Sequence, residues 1–264
     1  MKTKTIYSFI FILLSFPLVA QEVIDRAKYK ITYNSYALNK PHTGIKKSDN
    51  KILEIGDSIS KFYSGSEQYA LQVRDSLFKL GYTFDQVRQK MGALERSLDK
   101  SIVYKGYPDK KQITFTGNIG KKFEYQEALS VPEWEILSKE KTTILGFQCQ
   151  KAKAHFRGRE WQVWFTPEIP ISEGPWKLSG LPGLILQADD VKNEFGFKCI
   201  GIVESDQSIT KDSKKSIKTT RSEFLKLDRS VYLEPNKTLS QIYGVEIKDM
   251  SPTKQERSYN PIEF

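Results

Sequence analysis

A mainly β fold with helices, built on a curved antiparallel sheet or half-barrel, is what this sequence predicts, on three observations. From Ser101 onward, short runs of alternating polar and apolar residues follow one another, broken by tight turn signals. Residues 66–98 change to a helical period. One proline-rich connection interrupts the strands and is too stiff to be a linker.

The chain opens on "MKTKTIYSFIFILLSFPLVA": Lys2 and Lys4, an apolar run from Ile6 to Phe16, then Ala20. This is the pattern of a secretory signal peptide with cleavage near Ala20, and the run is short for a membrane span. The expected protein is exported, periplasmic or secreted. It has no transmembrane segment and forms a single domain over 21–264.

"AKYKITYNSYAL" puts Tyr29, Ile31 and Tyr33 on one face of a strand. "KILEIGDSISKFYS" is a second β segment with a turn at Gly56-Asp57. Tyr69, Val73, Leu77 and Leu80, then Val87, Met91 and Leu94, recur at helical spacing, so one or two helices over 66–98 pack on the sheet. Strands follow at "SIVYKGY", "QITFTGN", "KKFEYQEAL", "WEILSKE", "FQCQKAKAHF", "EWQVWFT", "LILQAD" and "FGFKCIGIVE". Short strands at such intervals argue for a meander that curls. Ser222 before "EFLKLDRSVYL" reads as a helix cap, with Glu223 in the first turn. The tail, about 250–264, is polar and extended.

Two segments stand apart. "LPGL" at 181–184 carries Pro182 and Gly183 at the second and third positions of a type II turn, the third of which needs φ > 0. Before it, Pro167–Gly183 holds four prolines and three glycines in 17 residues. Trp176 inside this loop either plugs the core or offers its ring to a ligand. Large aromatics are usually buried anchors, which favours the plug.

The stretch Ile144–Leu186, with "GLPGLI" at Gly180–Ile185 and "NPIEF" at Asn260–Phe264, resembles the GLPGLI family of exported bacterial proteins. That resemblance implies secretion or residence in the periplasm of Gram-negative bacteria. It brings no established activity and no catalytic residues.

Charge excludes little. The net charge is +9, spread among 41 basic and 32 acidic residues, which reads as a solvated surface. No metal site is expected: His42 and His155 are the only histidines, and no ligand spacing is present. Asp189, Asp190 and Glu194 read as a solvated strand end. No cofactor and no nucleic acid are expected, since there is no phosphate loop, nucleotide fingerprint or basic stripe. Cys149 and Cys199 are either a disulfide or two buried thiols.

One constellation suggests binding. Trp164 lies on the more polar face of its strand, near His155, Arg157 and Arg159 in sequence. The four form an aromatic and basic patch for a ligand, unless helix 66–98 covers Trp164. The expected function is a non-enzymatic binding protein for an apolar, lipid-like or peptide ligand, or for an envelope partner. The alternatives are a hydrolase that uses His155, with no catalytic set identifiable, and a scaffold or interaction module.

Overall fold

The computed structural model describes residues 22–38, 44–94, 97, 99–212, 215–247 and 259–264. The signal-peptide segment, His42 and residues 250–258 of the tail lie outside them. Strands β1 (Glu22–Arg26) and β13 (Ser208–Lys211) pair as a separate ribbon. Twelve more make one sheet. Six come from the first half of the chain: β2 (Tyr29–Ala37), β3 (Lys47–Ile55), β4 (Ser60–Ser64), β5 (Ile102–Lys105), β6 (Gln112–Ile119) and β7 (Lys121–Ala128). Five follow: β8 (Glu135–Ile144), β9 (Phe147–Phe156), β10 (Arg159–Thr166), β11 (Leu184–Asp190) and β12 (Phe195–Glu204). The short β14 (Ile217–Lys218) completes it.

The order is β14-β7-β6-β5-β4-β3-β2-β12-β11-β10-β9-β8. Every pair is antiparallel except β14 with β7. The sheet is thus two meanders joined by β2 and β12, with the predicted strands in place. It is not closed into a barrel: β14 and β8 are its two edges.

Its curvature follows from one connection. Only Leu129–Trp134 join β7 to β8, which stand ten strand spacings apart in the sheet. A flat sheet would separate them by roughly 48 Å. Six linking residues reach about 25 Å at most. The sheet must curl until its far strands approach, and its inner face becomes a bowl.

The proline-rich loop fills that bowl. Trp176, Lys177, Leu178 and Leu181 are all buried. Trp176 packs edge-on to Phe156 and tilted on Trp161, which itself stacks on Phe197. Trp176 has φ 53°, a left-handed conformation that costs a non-glycine residue about 1–3 kcal/mol and persists where packing over-determines it. Lys105 reaches from β5 to the loop carbonyls of Gly174, at 2.9 Å, and Leu178, at 3.1 Å, and pairs with Glu173. Tyr33 donates its hydroxyl to the Ile185 carbonyl at 2.7 Å, tying β2 to β11 across the core. The favoured reading of Trp176 as a core plug agrees with this burial.

The type II turn does not form as expected. Gly183 is not among the positive-φ residues. A Cβ there would lie 2.1 Å from the Thr166 carbonyl oxygen, so glycine is required for close approach of two backbones. Positive φ falls instead on Gly180, at 96°.

The helical segment resolves into α1 (Gly65–Lys79) and α2 (Phe84–Met91). This pair rests on β3 and has its own small core of Ala70, Val87 and Met91. A different helix enters the bowl: α3 (Arg221–Leu233), followed by α4 (Pro235–Tyr243). Phe224 of α3 meets Phe115, Phe123 and Tyr125, with ring centroids 5.2–6.4 Å away. Its entry fits because β6 carries Gly117, where a Cβ would stand 2.4 Å from the Phe224 ring.

The cap of α3 is Thr220, not Ser222. Its hydroxyl accepts the Glu223 N–H at 3.2 Å, and the Glu223 carboxylate accepts the Thr220 N–H at 2.9 Å, a reciprocal capping box. Thr220→Ala is expected to lower stability by about 1 kcal/mol in urea denaturation, while Ser222→Ala leaves it within about 0.5 kcal/mol.

Candidate functional site

The bowl is not filled completely. Between its inner face, α3 and the segment Tyr259–Glu263 lies a cavity of about 430 Å³. Its base is aromatic and buried: Phe115 from β6, Phe195 and Phe197 from β12, Trp176 from the loop and Phe224 from α3. Alternation explains the lining. Phe195 and Phe197 share one face of β12, and β2 places Ser35 opposite Phe197 in register.

The mouth is polar. Lys51 is buried, and its ammonium donates to the Asp99 carbonyl at 2.8 Å and carboxylate at 3.0 Å. It also pairs with Asp49 at 3.3 Å. Ser97 donates to Asp49 at 2.6 Å. The second Asp49 oxygen, Oδ1, is buried with no hydrogen-bond partner among the described residues. Also on the lining, Tyr259 donates to Asp228 at 2.6 Å. Burial pushes the Asp228 carboxyl above its ordinary range, against that hydrogen bond, and the Asp99 charge adds to the rise. Burial likewise raises the Tyr259 hydroxyl, and the Asp228 carboxylate it bonds raises it further.

The expected aromatic and basic patch does not assemble. Trp164 points outward, half-buried, with the Lys151 ammonium 5.6 Å over its ring. His155 is exposed on the same face but pairs with Glu160 in the ladder, while Trp164 pairs with Lys151. Arg159 is on the other face and buried. Its guanidinium donates to Asp190 at 2.6 Å and Glu194 at 2.9 Å. Arg157 turns toward β7 and donates to Glu127 at 2.8 Å. Of the suggested binding residues, only Trp176 lines the cavity.

Asp190 is therefore no solvated strand end. It accepts Arg159 together with the N–H groups of Glu194 at 2.6 Å and Phe195 at 3.0 Å. Among the described residues, no group of three or more His, Cys, Asp or Glu is placed to hold a metal ion. Cys149 and Cys199 are both buried free thiols. Burial pushes Cys199 up to about 11 and also raises Cys149.

Comparison with known proteins adds a short family-model match, without an activity. Residues 157–187 match the family described as Porph_ging, a protein of unknown function. That span runs from the turn after β9 through the loop and into β11. It takes in strand β10 and the whole of the loop that packs into the bowl. No curated protein matches the chain. PNGF-II, solved in two space groups, is similar in fold: TM-scores are 0.50 and 0.51, both at 13% identity. Each comparison covers 76% of this chain and 32% of the PNGF-II chain, so this chain spans about a third of that protein's length.

Proposed function

We propose that this is a non-enzymatic binding protein that holds an apolar or peptide-like ligand in the cavity of the bowl. The observation that carries the reading is the cavity itself. It has about 430 Å³ of space, a base of five aromatic side chains and a charged rim. Sites for small ligands combine this size and an apolar lining with a few convergent polar groups. An aromatic base attracts a ring or acyl segment by removing it from water. The rim of Lys51, Asp49 and Asp228 supplies both donors and acceptors to orient a polar end.

The reading includes export with cleavage near Ala20 and kinship with the GLPGLI family. Two observations support it: the leader pattern, and the position of Gly180–Ile185 inside the matched span 157–187. No helix of the described residues is long and apolar enough to cross a membrane.

Ala37 lines the cavity from β2 and can be enlarged without losing a polar contact. Titration with the uncharged fluorophore N-phenyl-1-naphthylamine should show saturable binding at one site. Ala37→Trp should weaken it by at least ten-fold with an unchanged melting temperature. Equal binding by both proteins, or no saturable binding by the wild type, would remove the cavity as a ligand site.

A further inference from the structure

The segment Tyr259–Phe264 has no regular secondary structure, yet it is held by side chains from distant parts of the fold. Asn260 accepts from Arg159 at 2.6 Å and donates to the Leu38 carbonyl at 2.8 Å. The Pro261 carbonyl accepts a second Arg159 bond at 3.1 Å. Glu263 receives both of its carboxylate oxygens' bonds from Lys177, at 2.8 and 2.9 Å, and a Tyr125 hydroxyl at 3.1 Å. The Phe264 carbonyl accepts from Arg221 at 2.7 Å. Among the described residues its single backbone-to-backbone hydrogen bond runs from the Phe264 N–H to the Arg157 carbonyl, 3.1 Å. The Phe264 ring lies on Gly158, where a Cβ would come within 2.8 Å, and 5.5 Å from the Arg159 guanidinium.

The receiving groups are positioned without the segment. Asp190 and Glu194 hold Arg159, and Asp190 is itself anchored by two backbone N–H groups. Lys177 is held by Glu127 at 2.8 Å and by Tyr125 at 3.0 Å. A slot whose donors are pinned by their own partners is preorganised, so a ligand entering it orders little besides itself. The slot presents a guanidinium to an Asn-Pro unit, an ammonium to an acid two residues further on, and a glycine-floored site to the phenyl ring that follows.

We infer that this slot is a peptide-recognition site for the sequence Tyr-Asn-Pro-Ile-Glu-Phe, filled here by the chain's own residues 259–264. Recognition rests on side chains and not on strand pairing, so the same hexapeptide supplied as a separate molecule binds when the native segment is displaced. The inference goes beyond the cavity reading and does not depend on it.

The test uses fluorescein-labelled Tyr-Asn-Pro-Ile-Glu-Phe with the full chain and with Glu263→Lys, in which like charges face Lys177 and Arg221. The labelled peptide should bind Glu263→Lys at least ten-fold more tightly than wild type. The same peptide with its Glu changed to Lys should bind neither. A natively folded Glu263→Lys protein that ignores the peptide overturns the inference. Should that variant not fold, a chain ending at Ser258 is refolded with excess hexapeptide. Recovery of a cooperative melt only with the unaltered hexapeptide supports the inference. Recovery that is the same with and without it, or absent in both, overturns it.

Discussion

Lys177→Ala should destabilise the protein by about 3–5 kcal/mol, the cost of breaking a buried ion pair by removing one partner. The ammonium is completely buried and lies 2.8 Å from both Glu127 and Glu263. The charge lies over the rings of Phe115, Tyr125 and Trp176, 5.3–5.7 Å from their centroids. Deleting it leaves the two carboxylates with Arg157 and Arg221 as their only cationic partners among the described residues. Urea denaturation measures the loss, and a variant within about 1 kcal/mol of wild type would refute it.

The pH dependence gives the same prediction a sign. Burial works to raise the Glu263 carboxyl, but the Lys177 ammonium, helped by Arg221 and Arg157, overrides it and holds the group below its ordinary range. A folded-state value below the unfolded one contributes stability above the unfolded value of about 4.5 and loses it as pH falls further. In Lys177→Ala the largest opposing charge is gone and the penalty of burying the Glu263 carboxylate remains. Protonating Glu263 removes both the gain in the wild type and the penalty in the variant, so the stability gap between them should narrow as pH falls toward and below about 4.5. A gap that is constant with pH would show that packing, and not charge, carries the effect.

Gly183→Ala should cost about 3 kcal/mol or more. The added methyl would sit 2.1 Å from the Thr166 carbonyl oxygen and 2.7 Å from its carbon, both backbone atoms. Relief requires either the end of β10 or the start of β11 to shift. Leu184 and Ile185, which begin β11, are fully packed there and bonded to the loop through Ile169, at 3.0 Å, and Glu173, at 2.9 Å. Pro182 is exposed, and Pro182→Ala should change stability by less than about 1 kcal/mol. Thermal melts of the two variants separate a steric requirement for glycine from a turn-conformation one, since a type II turn would make both residues matter.

Much of the fold was legible because a strand's alternation is local. "REWQVWFT" alone assigns Trp161, Val163 and Phe165 to one face, and all three are fully buried. The same parity places Arg159 with Trp161, which is why it is buried and cannot join Trp164 on the outer face. Sequence proximity in the hairpin suggested a patch that strand parity forbids. The shift of the N-cap from Ser222 to Thr220 was equally local: Glu223 is three residues after Thr220, the spacing of a capping box.

The cavity was not legible. Its walls come from β2, β3, β6, β12, the loop, α3 and the segment 259–263, and no local pattern brings these together. Lys177 carried one signal, its place beside Trp176 in a rigid loop, but a lysine in isolation reads as exposed. Asp49, Lys51 and Asp228 carried none. Their burial depends on which elements the curled sheet draws over them.

The sequence by itself determined the β-rich class, its curved sheet, the strands β2 to β12 and the helical period of residues 66–98, and it favoured Trp176 as a buried plug in the proline-rich loop. Each follows from periodicity or backbone restriction over a few residues. Only the tertiary structure decided that the curled sheet stays open, that the ribbon of β1 and β13 and the short β14 form, that α3 and not α1 or α2 enters the bowl, and that Gly183 serves close contact and not a left-handed turn. Those outcomes depend on long-range register and on which surfaces meet when a six-residue connection draws the two ends of a twelve-stranded sheet together.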